Sequence, residues 1–409
     1  MPDITRLSGT CDQREQGAMQ QRPLKVAQLH NYYKEGGGED RVVDFEKALL
    51  EQNGHSVVPY YVHNDTIESF TDKAATALRA AYNTDSRDKL SRWLAEVKPD
   101  VVHCHNYFPQ FSPSIYGAAQ ASGAAVVQTM HNYRVMCAGA FLMRDNKVCE
   151  KCLTGSPMWG VVHRCYRNSF VGSLASVNMI RGYRRHAASI DRVIVLTKFE
   201  LEKFASAGFE RQRLALKPNF IADPGVPAPG ERRGGLFVGR VTSEKGIDSL
   251  VEAWRRIREP LRIAGDGPLL EPLRASAPPH VTFLGRINSE QVRAELDTAE
   301  FLLVPSTWYE GFPIVLLEAF AAGVPVIASR IGSLAEIIEP GQNGLHCQPS
   351  DVADIVRQAE WAFAHRDDMR RMGQIARAHY ETRYSPAANY RMLRAIYDDA
   401  IAHHRSRTE

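Results

Sequence analysis

Twice along this chain, short apolar runs alternate with stretches of helical periodicity, and that alternation leaves few folds open. The first series comprises Leu24–Leu29, Val57–Val62, Asp100–His105, Ala124–Thr129 and Arg192–Leu196. The second comprises Gly235–Val238, Leu261–Ala264, Val281–Leu284, Phe301–Val304 and Val324–Ala328. Such short apolar runs describe strands buried on both faces. Strands of that kind lie parallel, joined by helices that cover the sheet. Between the series the pattern breaks at Leu216-Lys-Pro-Asn219 into Asp223-Pro-Gly-Val-Pro-Ala-Pro-Gly230, a composition suited to a linker. The expectation is an α/β protein with two doubly wound, Rossmann-like halves and a binding cleft between them, beyond the carboxyl ends of the strands. A chain of 409 residues also exceeds what one core usually holds.

Charge and hydropathy exclude several classes. The formal net charge of +3 is too small and too dispersed for a nucleic-acid binder. No run reaches the length of a membrane-spanning helix. Residues 1–22 are polar, without the apolar stretch of a signal peptide, and read as a disordered lead-in. Seven cysteines without an export signal point to the reducing cytoplasm.

The most informative segment is Trp308-Tyr-Glu310-Gly-Phe-Pro313-Ile-Val-Leu-Leu-Glu318, which follows the Phe301–Val304 strand. Pro313 suits a helix start, and Gly323 is placed to end the helix Ile314–Ala322. That helix is apolar on every face except at Glu318, so Glu318 needs a buried partner. Glu310 lies just before the helix, beside free backbone N–H groups. Further on, Ser333 and Glu336 have the spacing of a capping box. The loop Gly239-Arg240-Val-Thr-Ser-Glu244-Lys245-Gly246 follows the first strand of the second series. Its guanidinium and ammonium suit phosphate. No Asp-x-Asp triplet is present to hold a metal on a diphosphate. Arg240, Lys245 and helix N-termini would have to stabilise one that leaves.

Gly239-Arg240 with Lys245-Gly246, and Glu310-Gly-Phe-Pro-x4-Glu318, resemble the motifs of family 4 of the retaining glycosyltransferases, which have the two-domain GT-B fold. Pro218-Asn219, Gly265-Asp-Gly-Pro268 and Gly36-Gly-Gly38 extend the resemblance over nearly all of the chain from about residue 23. It implies a nucleotide-sugar donor, UDP- or GDP-linked, in the second half. Arg240 and Lys245 would hold its diphosphate with Gly37 and Gly38 nearby, and Glu318 the ribose hydroxyls. Glu310 and the backbone of Gly311, Phe312 and Pro313 would hold the sugar. His131, after the Ala124–Thr129 strand, matches the family's histidine beside the transferred sugar, and His103 and His105 are weaker acceptor-site candidates. No cofactor is implied for catalysis.

Cys137-x11-Cys149-x2-Cys152-x12-Cys165 stands apart from that scheme, in an insert over about 137–165. The Cys-x-x-Cys pair and two further thiols could hold a structural zinc, with His163 as a spare ligand. Unpaired thiols are the plainer alternative. Asp145-Asn146 reads as a turn between short arms. The segment Phe170–His186 joins apolar Val171, Leu174, Val177, Met179 and Ile180 to Arg181, Arg184, Arg185 and His186, a pattern that suits a helix on an anionic membrane. Tyr107, Phe108 and Phe111 form an aromatic loop that would suit the same surface.

The expected layout is a first, acceptor-side domain over 23–217, a donor domain over 218–384, and a last helix over 385–409 crossing back to the first. The expected activity is transfer of a sugar, a hexose, to a glycan or polyprenyl-linked acceptor for a cell-surface polysaccharide. It would occur in the cytoplasm, with a peripheral contact at the inner face of the membrane. A nucleotide-sugar epimerase of the same fold and an inactive glycan-binding scaffold are the alternatives.

Overall fold

The computed structural model describes residues 22–408, apart from 35, 67–78 and 226–229. Most of the lead-in, part of the polar stretch after the second strand and the middle of the linker therefore lie outside the described residues.

The first domain is built on a parallel sheet. Its elements are β1 (Lys25–Tyr32), α1 (Gly38–Gln52), β2 (Ser56–His63), α2 (Thr84–Val97), β3 (Val101–Asn106), α3 (Ser114–Ala121) and β4 (Ala125–Thr129). An insert follows, with the two-stranded hairpin β5 (Met143–Arg144) and β6 (Lys147–Val148), then α4 (Lys151–Thr154) and α5 (Trp159–Val162). The chain continues through α6 (Phe170–His186), β7 (Arg192–Val195), α7 (Lys198–Ser206) and β8 (Leu214–Leu216). The sheet order is β2-β1-β3-β4-β7-β8.

The second domain runs β9 (Gly235–Val238), α8 (Ile247–Trp254), β10 (Leu261–Ala264), α9 (Leu270–Ser276), β11 (Val281–Gly285), α10 (Ser289–Asp297), β12 (Phe301–Val304), α11 (Ile314–Ala321), β13 (Val326–Ser329), α12 (Gly332–Ile337) and β14 (Gly344–Cys347). Its order, β11-β10-β9-β12-β13-β14, places the reversal of strand order between β9 and β12. The helices α13 (Val352–Ala364), α14 (Arg366–His379) and α15 (Pro386–Thr408) complete the chain.

Central strands are buried on both faces: β3, β4, β7, β12 and β13 expose no residue. Burial of this kind needs helices above and below each sheet. α15 covers part of the first sheet, where Leu393, Ile396, Tyr397 and Ala400 join one core with Val26, Val101, Val127 and Ile194. The helix is held there by Arg192 on Asp399, and by His403 and Arg407 on buried Asp191.

Local signals held unevenly. Thr197 caps α7, its side chain accepting from Glu200 N–H. Pro313 stands before α11, and the left-handed Gly323 follows its end. Ser333 and Glu336 form no capping box. Ser333 lies inside α12 and pairs with Thr197 at 2.9 Å. Glu336 instead accepts from Lys198 N–H and Phe199 N–H at 3.0 and 2.7 Å, so it serves the start of α7 in the other domain. Sequence spacing could not show that the nearest open N–H groups belonged to another helix.

Candidate active site

The loops after β9 and β12 flank the reversal of strand order and meet there. Gly246 has φ of 70°, and a Cβ at that position would lie 1.9 Å from the Pro305 carbonyl oxygen. Glycine is what lets the two loops close on each other. Their contact places Lys245 Nζ 2.6 Å from Glu310 Oε1, which also accepts from Ser306 Oγ at 2.7 Å and Trp308 Nε1 at 3.1 Å. Glu310 is 5% exposed, so this three-donor cradle is what makes its burial tolerable. The ammonium also sits 5.5 Å from the centre of the Trp308 ring. Of its three donors Glu310 takes one. The Arg240 side chain is 56% exposed and stands 3.5 Å from Glu244. The two cations of the loop thus differ: Lys245 is anchored, and Arg240 reaches into solvent.

α11 begins at this crossing without a side-chain cap and with no acidic residue in its first turn, which leaves its N–H groups open to an anion. Phe312 is fixed by its carbonyl, which accepts from Asn219 of the linker at 3.1 Å. A Cβ on Gly38 would lie 3.2 Å from Ile314 Cγ1, so the start of α1 abuts the start of α11. Gly37 is the residue before α1, and a Cβ there would meet nothing within 4 Å. Glu318 has the partner its burial demands, and that partner comes from the other domain: Arg41 Nη2 lies 2.9 Å from its Oε1.

The first domain brings His131 to the same crossing. A Cβ on Gly311 would lie 3.1 Å from the His131 carbonyl oxygen and 3.2 Å from Glu200 Oε1. Behind it His131 stacks on His105, with Nε2 to Nδ1 at 3.2 Å. His105 Nε2 stands 3.4 Å from Glu46 Oε2, and Glu46 Oε1 accepts from buried Lys217 at 2.5 Å. His103 is occupied on both nitrogens, by Tyr397 at 2.8 Å and Thr129 at 2.7 Å. Desolvation, with the neighbouring His30 and Lys217 charges, pushes His131 down to about 3. His103 and His105 are driven well below the ordinary histidine range, chiefly by burial. All three rings are neutral near pH 7. Ligand atoms of Glu46, His103 and His105 lie within 4.8 Å of one another. Lys217 holds one oxygen of the carboxylate and both nitrogens of His103 are engaged, while Glu46 Oε2, facing the two histidines, is buried without a hydrogen-bond partner.

Four side chains of this crossing escaped the sequence pattern. Arg41 and Lys217 meet partners at separations of 277 and 171 residues, which no local spacing reveals. Arg134 lies over the Phe108 ring at 4.3 Å, with Nε and Nη1 buried and unpartnered. Glu39, near it, is pushed up to about 8 by burial and by Asp40. The one available signal was Arg134 itself, a cation three residues beyond His131.

The two features expected at a membrane surface depart from expectation. Tyr107 and Phe111 are buried in the core of the first domain, so the aromatic loop is packed rather than presented. Along α6, Val177, Met179 and Ile180 face the protein core; only Phe170 and Val171 at its start are exposed large apolar residues. Arg184 and Arg185 stand at the far end of that helix, away from them. Asp145 and Asn146 do form the turn of the β5–β6 hairpin, with φ of 52° and 56°. Cys137, Cys149, Cys152 and Cys165 form no disulfide. Burial pushes the Cys152 thiol up to about 11, and Cys137, Cys165 and Cys149 lie close enough to add to that rise, so the four share one neighbourhood.

Residues 223–379 match the family model described as glycosyl transferases group 1, and residues 41–219 that of a glycosyl transferase 4-like domain. A phosphatidyl-myo-inositol mannosyltransferase of Mycolicibacterium smegmatis is 27% identical over 362 residues, 86% of this chain and 83% of that protein. Among solved structures, a sucrose-phosphate synthase from Thermosynechococcus elongatus aligns with a TM-score of 0.69 at 18% identity, covering 93% of this chain and 99% of the other. HepE of Anabaena in complex with UDP aligns with a TM-score of 0.64 at 15% identity, covering 92% and 100%.

Proposed function

The chain belongs to the group 1 glycosyl transferases, with the GT-B fold, and on that premise we propose that it moves a hexose from a UDP- or GDP-linked donor to a glycan or lipid-linked acceptor. The observation that carries this reading is the convergence at the strand-order reversal. Lys245, Glu310, the open start of α11, Glu318 and the His131 carbonyl all reach one crossing between the domains.

In this reading the diphosphate lies across the start of α11. The two N–H groups of Lys245 that Glu310 leaves free, together with Arg240, point to its oxygens. Glu318 exchanges Arg41 for the ribose hydroxyls, two donors to one carboxylate. The transferred sugar sits between Glu310 with the Gly311–Pro313 backbone on one side and His131 on the other. A neutral His131 supplies its carbonyl and ring nitrogen as hydrogen-bonding groups, not a positive charge. The acceptor hydroxyl attacks the anomeric carbon on the face the diphosphate leaves, a leaving oxygen takes its proton, and configuration is retained. The largest protein contribution is electrostatic support of the departing diphosphate. At about 4 Å and an effective dielectric of about 20, one such charge pair is worth about 4 kcal/mol before desolvation.

The likeness to a protein named for mannosyl transfer to phosphatidyl-myo-inositol supports a cell-envelope acceptor. The described residues include no helix long and apolar enough to cross a membrane. Titration of the purified chain with UDP and GDP, followed by a screen of nucleotide sugars for transfer, tests the reading. Failure to bind either diphosphate would remove the donor assignment.

We also propose that Cys137, Cys149, Cys152 and Cys165 are ligands of a structural zinc. Four thiols are the right donor set. Burial pushes the Cys137 thiol up, and backbone N–H groups of Leu142, Gly139, Ala140 and Phe141 around its sulfur offset part of that rise. No three of the sulfurs lie within 4.8 Å of one another, so the side chains would have to turn inward to close on the ion.

A further inference from the structure

Among the described residues, most of the large apolar side chains left exposed fall in one stretch, from Phe141 to Val171. Val162 and Val171 are 65% exposed, Phe170 56% and Trp159 44%. Such a concentration is not the scatter of single apolar residues that any surface carries. It follows from how the insert packs. α5 turns Val161 inward onto Val177 and half-buried Leu174 of α6, in a small core shared with Ala138. With its inner face so used, α5 presents Trp159 and Val162 outward, beside the first turn of α6 with Phe170 and Val171.

The charges around these side chains have one predominant sign. Between Cys137 and Val171 the sequence holds five Lys and Arg against two acidic residues. Glu150, one of the two, is taken by Lys203 at 2.6 Å. Lys147, Lys151, Arg164 and Arg167 are exposed, and none has a carboxylate partner among the described residues. Lys151 stands 5.5 Å from the Trp159 ring centre and Arg167 5.6 Å from that of Tyr166. Elsewhere on this protein surface cations are commonly paired, as Arg211 is with Glu202 or Arg371 with Asp368. Here aromatic and β-branched side chains stand in a border of unpaired ammonium and guanidinium groups.

We propose that this face, made by α5, the start of α6 and the β5–β6 hairpin, docks on an anionic lipid bilayer. Trp159, Val162, Phe170 and Val171 enter the headgroup layer, and Lys147, Lys151, Arg164 and Arg167 bind lipid phosphates. Charge complementarity selects the bilayer over a second copy, which would present the same cations to these. The face also leads inward: Tyr166 meets Phe108 edge-on, and Phe108 carries the Arg134 guanidinium beside the site of His131. The inference deepens the proposed transfer to a lipid-borne acceptor, but the docking itself requires no donor and no turnover.

The test is flotation of the full chain with vesicles of phosphatidylcholine alone or mixed with phosphatidylglycerol, without nucleotide sugar. Binding is expected only with the anionic lipid and should weaken as salt rises. Phe170→Ser with Val171→Ser, and separately Lys147→Gln with Lys151→Gln, should each weaken it about tenfold or more. Arg184→Gln with Arg185→Gln should change it little. Circular dichroism and binding of UDP or GDP by the same variants show that fold and donor site are intact, which separates failure here from failure of the transferase reading. No binding to the anionic vesicles, or equal binding by the Phe170 and Val171 variant, overturns the proposal. So does a dimer in light scattering that this variant dissociates, which would give the face to a second copy.

Discussion

Arg41 of the first domain lies with Nη2 2.9 Å from Oε1 of Glu318 in the second, a contact that joins α1 to α11 across the cleft. Glu318 is mostly buried and the Arg41 side chain is 38% exposed, so solvent screens the pair to about 1 kcal/mol. If Glu318 takes the ribose, the nucleotide must displace this guanidinium. Arg41→Ala is therefore expected to tighten UDP or GDP binding by about fivefold in calorimetric titration. Weaker binding would instead make Arg41 a ligand of the nucleotide.

Lys245 holds a buried carboxylate and, in the proposed reaction, a leaving diphosphate. Lys245→Ala leaves Glu310 with Ser306 and Trp308 as donors but without a counter-charge. Loss of one partner from such a pair costs about 3 kcal/mol, so a lower Tm is expected. Turnover should fall by at least about a hundredfold, the size expected for loss of an electrostatic contact to the transition state. Glu310→Gln keeps the shape and should lose less stability than Glu310→Ala while still impairing transfer. Near-normal transfer by Lys245→Ala would end the phosphate assignment.

How much of this was legible in the sequence depended on whether a signal was local. The doubly wound halves showed because each strand is buried on both faces, and continuous apolar runs such as Phe301–Val304 record that. Thr197 and Pro313 were legible because a cap answers to its own helix. Glu336 was not, since the N–H groups it meets belong to α7 of the other domain. Glu318 announced that it needed a partner; that the partner is Arg41 depends on how the domains close. The Phe170–His186 segment misled because its apolar residues and its arginines, neighbours in composition, face different surroundings in the fold.

The zinc proposal predicts about one zinc per chain in purified protein by elemental analysis. Stripping the metal with a chelator should lower Tm and expose Cys152, now buried, to a thiol reagent. Cys149→Ser should reduce the metal content while leaving UDP or GDP binding intact, because the insert belongs to the first domain. Protein free of zinc and iron, with thiols as stable before chelation as after, would leave the cysteines as unpaired thiols.

The buried titratable groups set a pH dependence of stability whose two limbs have opposite sign. His131 is held down to about 3, and His103 and His105 are lowered in the same direction. Unfolded histidines take protons below about 6.5 and these folded ones do not. Their stabilising contribution is complete above that pH and is lost as pH falls toward 3. Glu39 and Glu200 run the other way, both raised to about 8 by burial. Between an unfolded value of about 4.5 and 8 the folded state keeps protons that the unfolded state releases. Their contribution is complete below the lower value and is lost as pH rises through the upper one. From about 4.5 to 6.5 three histidines oppose two glutamates, so Tm should still rise with pH; above 6.5 the glutamates act alone and Tm should fall. A maximum near pH 6.5 is expected in thermal melts. Glu200 Oε1 has no partner and its other oxygen accepts from Leu196 N–H, so Gln can replace the protonated carboxyl with little rearrangement. Glu200→Gln should therefore flatten the alkaline limb by a few degrees and, with one opposing glutamate fewer, steepen the rise between about pH 4.5 and 6.5. An alkaline limb as steep as in the unsubstituted protein would show that Glu200 is ionised in the folded state.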